Sequence, residues 1–179
     1  AYFNSLPAGQ AGLASARMQD CSSTARPLTK GEEIANAVTH GAGLVASLVA
    51  FPFLLVAASQ RWGAPEVVGS AVFASSLVAL YLVSTLYHAV RPSRAKQVLQ
   101  KLDHTAIYLL IAGSYTPFTL GVLRGPWGWT LLALVWAIAG TGIALEFAFG
   151  KKVHKIAVGL YVAMGWLVVV AAKPLLASV

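Results

Sequence analysis

The chain alternates between long stretches without a formal charge and short links that carry nearly all of it. Residues 34–60, 67–90, 104–123, 125–145 and 156–172 contain no Asp, Glu, Lys or Arg, in runs of 27, 24, 20, 21 and 17 residues. A helix needs about 20 apolar residues, within a range of about 17–25, to cross a hydrocarbon layer roughly 30 Å thick. Inside lipid the backbone N–H and C=O groups of each segment must be satisfied internally, which selects helix. The pattern predicts an all-α, polytopic membrane helix bundle with five transmembrane helices, over about 34–60, 67–90, 104–123, 127–146 and 156–172. Together they make a transmembrane domain over 31–176. Residues 1–30 are rich in Ala, Ser, Gly and Pro and hold no apolar core of signal-peptide length. They are expected to form a tail that is flexible unless a partner orders it. Pro52 and Pro117 predict kinks in the first and third helices. Gly41, Gly43, Gly140 and Gly142 predict close helix approach.

Composition supports the same reading. Hydrophobic residues make up 58% of the chain and charged residues 11%, whereas a soluble domain averages about 25% charged. Disorder, a coiled coil and a disulfide scaffold are excluded on the same grounds, and the single cysteine, Cys21, allows no intrachain bridge. The net charge is +7, but the basic residues are dispersed between apolar runs rather than gathered in one stripe. No nucleic-acid partner is expected; the lipid bilayer is, with anionic lipid at the cytoplasmic face.

The basic residues also set an orientation. Arg17, Arg26 and Lys30 precede the first run, Arg91, Arg94, Lys96 and Lys101 follow the second, and Lys151, Lys152 and Lys155 follow the fourth. The links on the other side hold only Arg61, Arg124 and Lys173. The positive-inside rule then predicts a cytoplasmic N terminus and places Trp62, Trp127 and Trp129 at the outer interface.

On this topology the polar residues collect at one depth. Glu32, Glu33, Asn36 and His40 fall in the first turns of the first helix, and Ser84 and His88 in the last turns of the second. Asp103 and His104 are expected to open the third, and Glu146 closes the fourth. At about 100° per residue, Glu33 and His40 lie roughly 20° apart around the helix and Asn36 and His40 roughly 40°. Ionisable groups at membrane depth mark a functional site by default. The plainer readings stand beside that one. Glu32 and Glu33 suit the positive end of a helix, and Asp103 suits a helix start. Glu146 can snorkel or balance Lys151 and Lys152, His104 reads as interfacial, and His154 reads as a solvated loop residue. Asn36, His40, Ser84, His88 and Asp103 are expected to converge in one pocket.

Imidazole with carboxylate is ligand chemistry for zinc. His88 offers one nitrogen, and Asp103 would bind directly or hold a metal-bound water. Ser84 would support a ligand or stabilise an oxyanion, and His40 is a candidate third ligand. The chain contains no HxxxH, HxxH or HExxH.

Taken in series, residues 33–41 (EIANAVTHG), 84–88 (STLYH), 102–107 (LDHTAI), 112–118 (AGSYTPF), 163–166 (AMGW) and 173–175 (KPL) resemble the hemolysin III family. That family is the bacterial branch of the progestin and adipoQ receptors. The resemblance covers roughly residues 31–176. It implies a seven-helix membrane protein with a cytoplasmic N terminus, and a location in the bacterial inner membrane. It also implies a zinc near the cytoplasmic face, with His88 as a ligand and Asp103 orienting the zinc-bound water. Two histidines of a seventh helix complete the set in the receptor branch, and related membrane hydrolases cleave lipid amides. The sequence contains five of the seven helices. The expectation is therefore an incomplete metal site at His88 and Asp103 without tightly bound zinc or any other cofactor. In its place a hydrogen-bonded polar cluster would include Glu33, Asn36 and His40. The expected function is a non-catalytic structural or accessory subunit of a larger membrane complex, with other subunits against the fifth helix, or a receptor-like membrane-homeostasis protein. The alternative is a zinc-dependent lipid amidase using Ser84 and Asp103, with the site completed by the missing helices or another chain.

Overall fold

A computed structural model describes residues 28–61 and 63–177. The predicted tail lies outside the described residues apart from positions 28–30, as do Cys21 and Trp62. Five α-helices follow one another: α1 (Lys30–Arg61), α2 (Ala64–Ala89), α3 (Arg94–Leu120), α4 (Pro126–Phe149) and α5 (His154–Ala177). A 3-10 turn, Gly150–Val153, joins α4 to α5. The described links are short, so consecutive helices run antiparallel. The architecture is an all-α membrane helix bundle. By length and composition α1, α2 and α4 can each cross a membrane, and α5 contributes a shorter apolar stretch, His154–Val169.

The boundary that differs most from the sequence reading is the start of α3. The membrane-spanning part is expected from near residue 104, with a basic interfacial turn of helix allowed in the 91–102 link; the helix is continuous from Arg94. Ser93 caps it, accepting a hydrogen bond from the Lys96 amide at 3.2 Å. Residues 94–103 are mostly strong helix formers, and their charge keeps them out of hydrocarbon without keeping them out of a helix. Asp103 consequently lies in the third turn of α3 rather than at its start, and the helix-start reading of its carboxylate does not apply. Pro65 and Pro126 enter the first turns of α2 and α4, where the missing N–H has no intrahelical role. Pro52 and Pro117 lie inside α1 and α3.

The core sits where α3, α4 and α5 meet. Tyr108, Ala112, Val135, Ala139, Ala157 and Met164 form its buried centre. Tyr108 is 1% exposed. Its ring lies 4.4 Å from that of Tyr161, centroid to centroid. Gly142 of α4 lies directly on the Tyr108 ring, with no room for a Cβ. Gly43 of α1 packs on Tyr81 of α2, where an added Cβ would fall 2.6 Å from the ring. Gly41 has Thr85 of α2 at an ordinary 3.7 Å, and Gly140 faces open space. Of the four glycines, Gly142 and Gly43 serve close approach.

Helix α1 touches α2 through side chains, and Ile34, Val38, Val45, Val49 and Phe53 on it are exposed. The hydroxyls of the bundle are mostly satisfied on their own helix. Thr39, Ser47, Ser76, Thr85, Thr116 and Thr141 each donate to a carbonyl three or four residues earlier. At the end remote from the α1 N terminus, Arg124 Nη2 pairs with Glu66 Oε1 and Arg124 Nε donates to the Leu120 carbonyl.

Candidate functional site

The N-terminal end of α1, the C-terminal end of α2 and the N-terminal end of α3 bring polar side chains together. Glu33 sits at the junction. Its Oε2 accepts from His88 Nδ1 at 2.7 Å, and its Oε1 accepts from Lys96 Nζ at 2.8 Å. One carboxylate thus bridges three helices. Lys96 also donates to the Val90 carbonyl at 3.1 Å and lies 4.9 Å from the centre of the Tyr87 ring. Seven residues along α1 from Glu33, His40 Nδ1 makes a hydrogen bond of 2.6 Å with Ser84 Oγ, its direction set by the His40 tautomer. The His40 and His88 rings meet edge to face, with centroids 5.7 Å apart. Ser84 is buried, and the His88 side chain is 9% exposed.

Helical phase produces this convergence. Glu33 and His40 share a face of α1, and Ser84 and His88 are one turn apart on α2, so two matched pairs close across one helix interface. Because the ionised carboxylate only accepts, the proton of this bond belongs to His88 Nδ1, so whenever the ring is neutral Nε2 is its unprotonated nitrogen.

The other two sequence candidates stand apart from these bonds. Asn36 is half-buried on α1 and enters the described hydrogen bonds through its carbonyl, which accepts from Thr39 Oγ1 at 3.1 Å. Asp103 is half-buried and within electrostatic range of Tyr87 and Tyr161, but makes no hydrogen bond or ion pair among the described residues. The expected partnership of His88 with Asp103 is replaced by one with Glu33. Extension of α3 back to Arg94 places Lys96 on that helix, where its ammonium reaches Glu33.

A second polar centre lies between α3, α4 and α5. Glu146 is 4% exposed and takes His104 Nδ1 on its Oε1 at 3.1 Å. Tyr161 donates to the His104 carbonyl at 2.9 Å, and the His154 ring lies 6.0 Å from that of His104. Glu146 is therefore buried rather than snorkelling, and its partner among the described residues is His104, inside the bundle. Lys96 and the His104–Glu146 pair went unsighted in the sequence. Only the common depth of these residues hinted at them, since the partners are 63 and 42 positions apart.

A catalytic zinc takes three protein ligands and an open position. His88 held through Nδ1 by a carboxylate, with Nε2 unprotonated, is one ligand in the arrangement such sites use. Among the described residues no three His, Cys, Asp or Glu side chains are placed to hold a metal ion together. The described donors fit one corner of a zinc site and not the whole.

Comparison with known proteins bears on the whole chain. The sequence profile of a family described as haemolysin-III related matches residues 28–179. A hemolysin-3 homolog of Bacillus subtilis (strain 168) is 46% identical over 147 residues, which cover 82% of this chain and 69% of that protein. Hemolysin-3 of Bacillus cereus is 48% identical over 144 residues, covering 80% and 66%. The human monocyte to macrophage differentiation factor is 28% identical over 142 residues, covering 75% and 58%. The chain thus spans about two thirds of the length of the Bacillus relatives. No solved structure matches it significantly. The family profile over most of the chain and the two Bacillus relatives agree with the apolar helices: the chain is an integral membrane protein and belongs to the haemolysin-III related family.

Proposed function

We propose that the chain is a non-catalytic structural or receptor-like membrane component whose polar cluster fastens α1 to α2 and α3. The bridge from Glu33 to His88 and Lys96, at 2.7 and 2.8 Å, supports this reading above all others. It directs the polar chemistry of the cluster inward, into helix-to-helix bonds. The N-terminal end of α1 faces the cytoplasm in this reading, and the basic residues there meet anionic lipid of the bacterial inner membrane. Other membrane subunits are expected against α5.

A metal measurement separates this from catalysis. The full chain, purified from membranes without chelator, is expected to carry well under one zinc per protein by elemental mass spectrometry. Stoichiometric zinc that disappears in His88→Ala would overturn the proposal. The second reading, a zinc-dependent lipid amide hydrolase, would then take its place, with Ser84 and Asp103 as its reacting groups. The tautomer that Glu33 imposes on His88 is the observation that favours this second reading, because it presents the nitrogen a metal would need.

The orientation has its own test. Single cysteines at Arg91 and Trp127, introduced into a Cys21→Ser background, should react with a membrane-impermeant thiol reagent from opposite sides of sealed inverted vesicles. Arg91→Cys is expected to label from the cytoplasmic side. Labelling of both from the same side would refute the antiparallel map.

A further inference from the structure

We propose that the His104–Glu146 centre is the floor of a binding site for a zwitterionic phosphoethanolamine headgroup. This inference is independent of the reading of His88. A cavity of about 360 Å³ opens beside the pair, lined by Gln97, Gln100, Lys101 and His104 of α3 and by Glu146 and Gly150 at the end of α4. Its size lies at the lower end of the ~300–1,000 Å³ usual for small-ligand pockets, suited to a headgroup.

The four α3 residues are spaced i, i+3, i+4 and i+7, so one face of the helix forms a wall of donors. Its chemistry is divided. Glu146 holds a carboxylate deep in the bundle, with His104 as its one partner among the described residues. Lys101 lies against Gly150, where a Cβ would come 3.8 Å from its Cε. Its ammonium makes no hydrogen bond or ion pair among the described residues. A carboxylate and an ammonium thus line one cavity without meeting across it. A ligand that completes both carries a cation with N–H donors for Glu146. It also carries an anion with several acceptor oxygens for Lys101, Gln97 and Gln100. Phosphoethanolamine carries both. A choline headgroup has no N–H to give the carboxylate, and a glycerol headgroup has no cation.

The same headgroup chemistry is found in a phospholipid and in the free compound, and the test distinguishes them. The full chain in detergent would be titrated with short-chain phosphatidylethanolamine, phosphatidylcholine and phosphatidylglycerol, and with soluble phosphoethanolamine. Native mass spectrometry would count bound molecules and thermal melting would report stabilisation. Phosphatidylethanolamine should bind about tenfold or more tightly than either other lipid, the worth of one charge-assisted hydrogen bond. Lys101→Met and Glu146→Gln should each remove most of that preference. Lys101→Met alters the cavity without touching the core, so it remains informative should Glu146→Gln fold poorly. Soluble phosphoethanolamine that competes for the site supports the headgroup chemistry. If it binds as tightly as the lipid, it names the free compound as the occupant. Equal binding of all three lipids, or an undiminished preference in Lys101→Met, would overturn the proposal.

Discussion

Gly142→Val is expected to lower the melting temperature of the purified protein by several degrees, while Gly140→Val leaves it unchanged. The two glycines are a half-turn apart on α4 and equal in sequence terms, and the contrast lies entirely in what each faces. A Cβ at Gly142 overlaps the ring of Tyr108, and nothing lies within 4 Å of one at Gly140. Tyr108 cannot retreat, because it is 1% exposed and its ring is packed against that of Tyr161. Overpacking of this kind costs about 1–3 kcal/mol and occasionally more. An isopropyl group of three carbons against an aromatic ring that cannot move belongs at the upper end. The measurement is a melting curve by intrinsic fluorescence in a single detergent. Equal shifts in the two variants would show that α4 does not meet α3 through Gly142.

Glu33→Ala should destabilise the protein by about 1–2 kcal/mol, because it strips two part-buried partners at once. His88 loses the acceptor of its Nδ1–H and Lys96 loses its counter-ion. A double-mutant cycle is the decisive form. Glu33→Ala combined with His88→Ala should cost less than the sum of the single changes, with a coupling of about 0.5–3 kcal/mol. Asp103→Ala serves as the contrast and should couple weakly to His88→Ala. Strong coupling of Asp103 to His88, with none for Glu33, would mean that α3 is shifted along its axis relative to α2.

The helices were legible in the sequence because a membrane solvent leaves little choice: a charge-free run of spanning length becomes a helix. The same criterion misplaced the start of α3. Residues 94–103 are polar, so they end the apolar run, yet they remain good helix formers capped by Ser93. Helical phase put Glu33 with His40 and Ser84 with His88, and these are the residues that α1 and α2 use on each other. Phase says nothing about a residue on a third helix. Lys96 and the His104–Glu146 pair therefore had to await the packing, and Asp103 kept its expected depth but not its expected neighbour. Gly142 and Gly140 show the same limit, since no local pattern distinguishes a glycine under a ring from one facing open space.

The hydroxyls and the carboxylates of this bundle satisfy themselves on different schedules. The hydroxyls of Thr39, Ser47, Ser76, Thr85, Thr116 and Thr141 find their carbonyls within the preceding turn, so these bonds are complete once each helix is made. Glu33 meets His88 55 positions later, Glu66 meets Arg124 58 positions later, and His104 meets Glu146 42 positions later. As the chain leaves the ribosome, α1 is synthesised with a carboxyl whose match lies at the far end of a helix not yet made. Glu33 and Glu66 thus precede their basic partners in the order of synthesis, whereas Glu146 emerges with His104 already made.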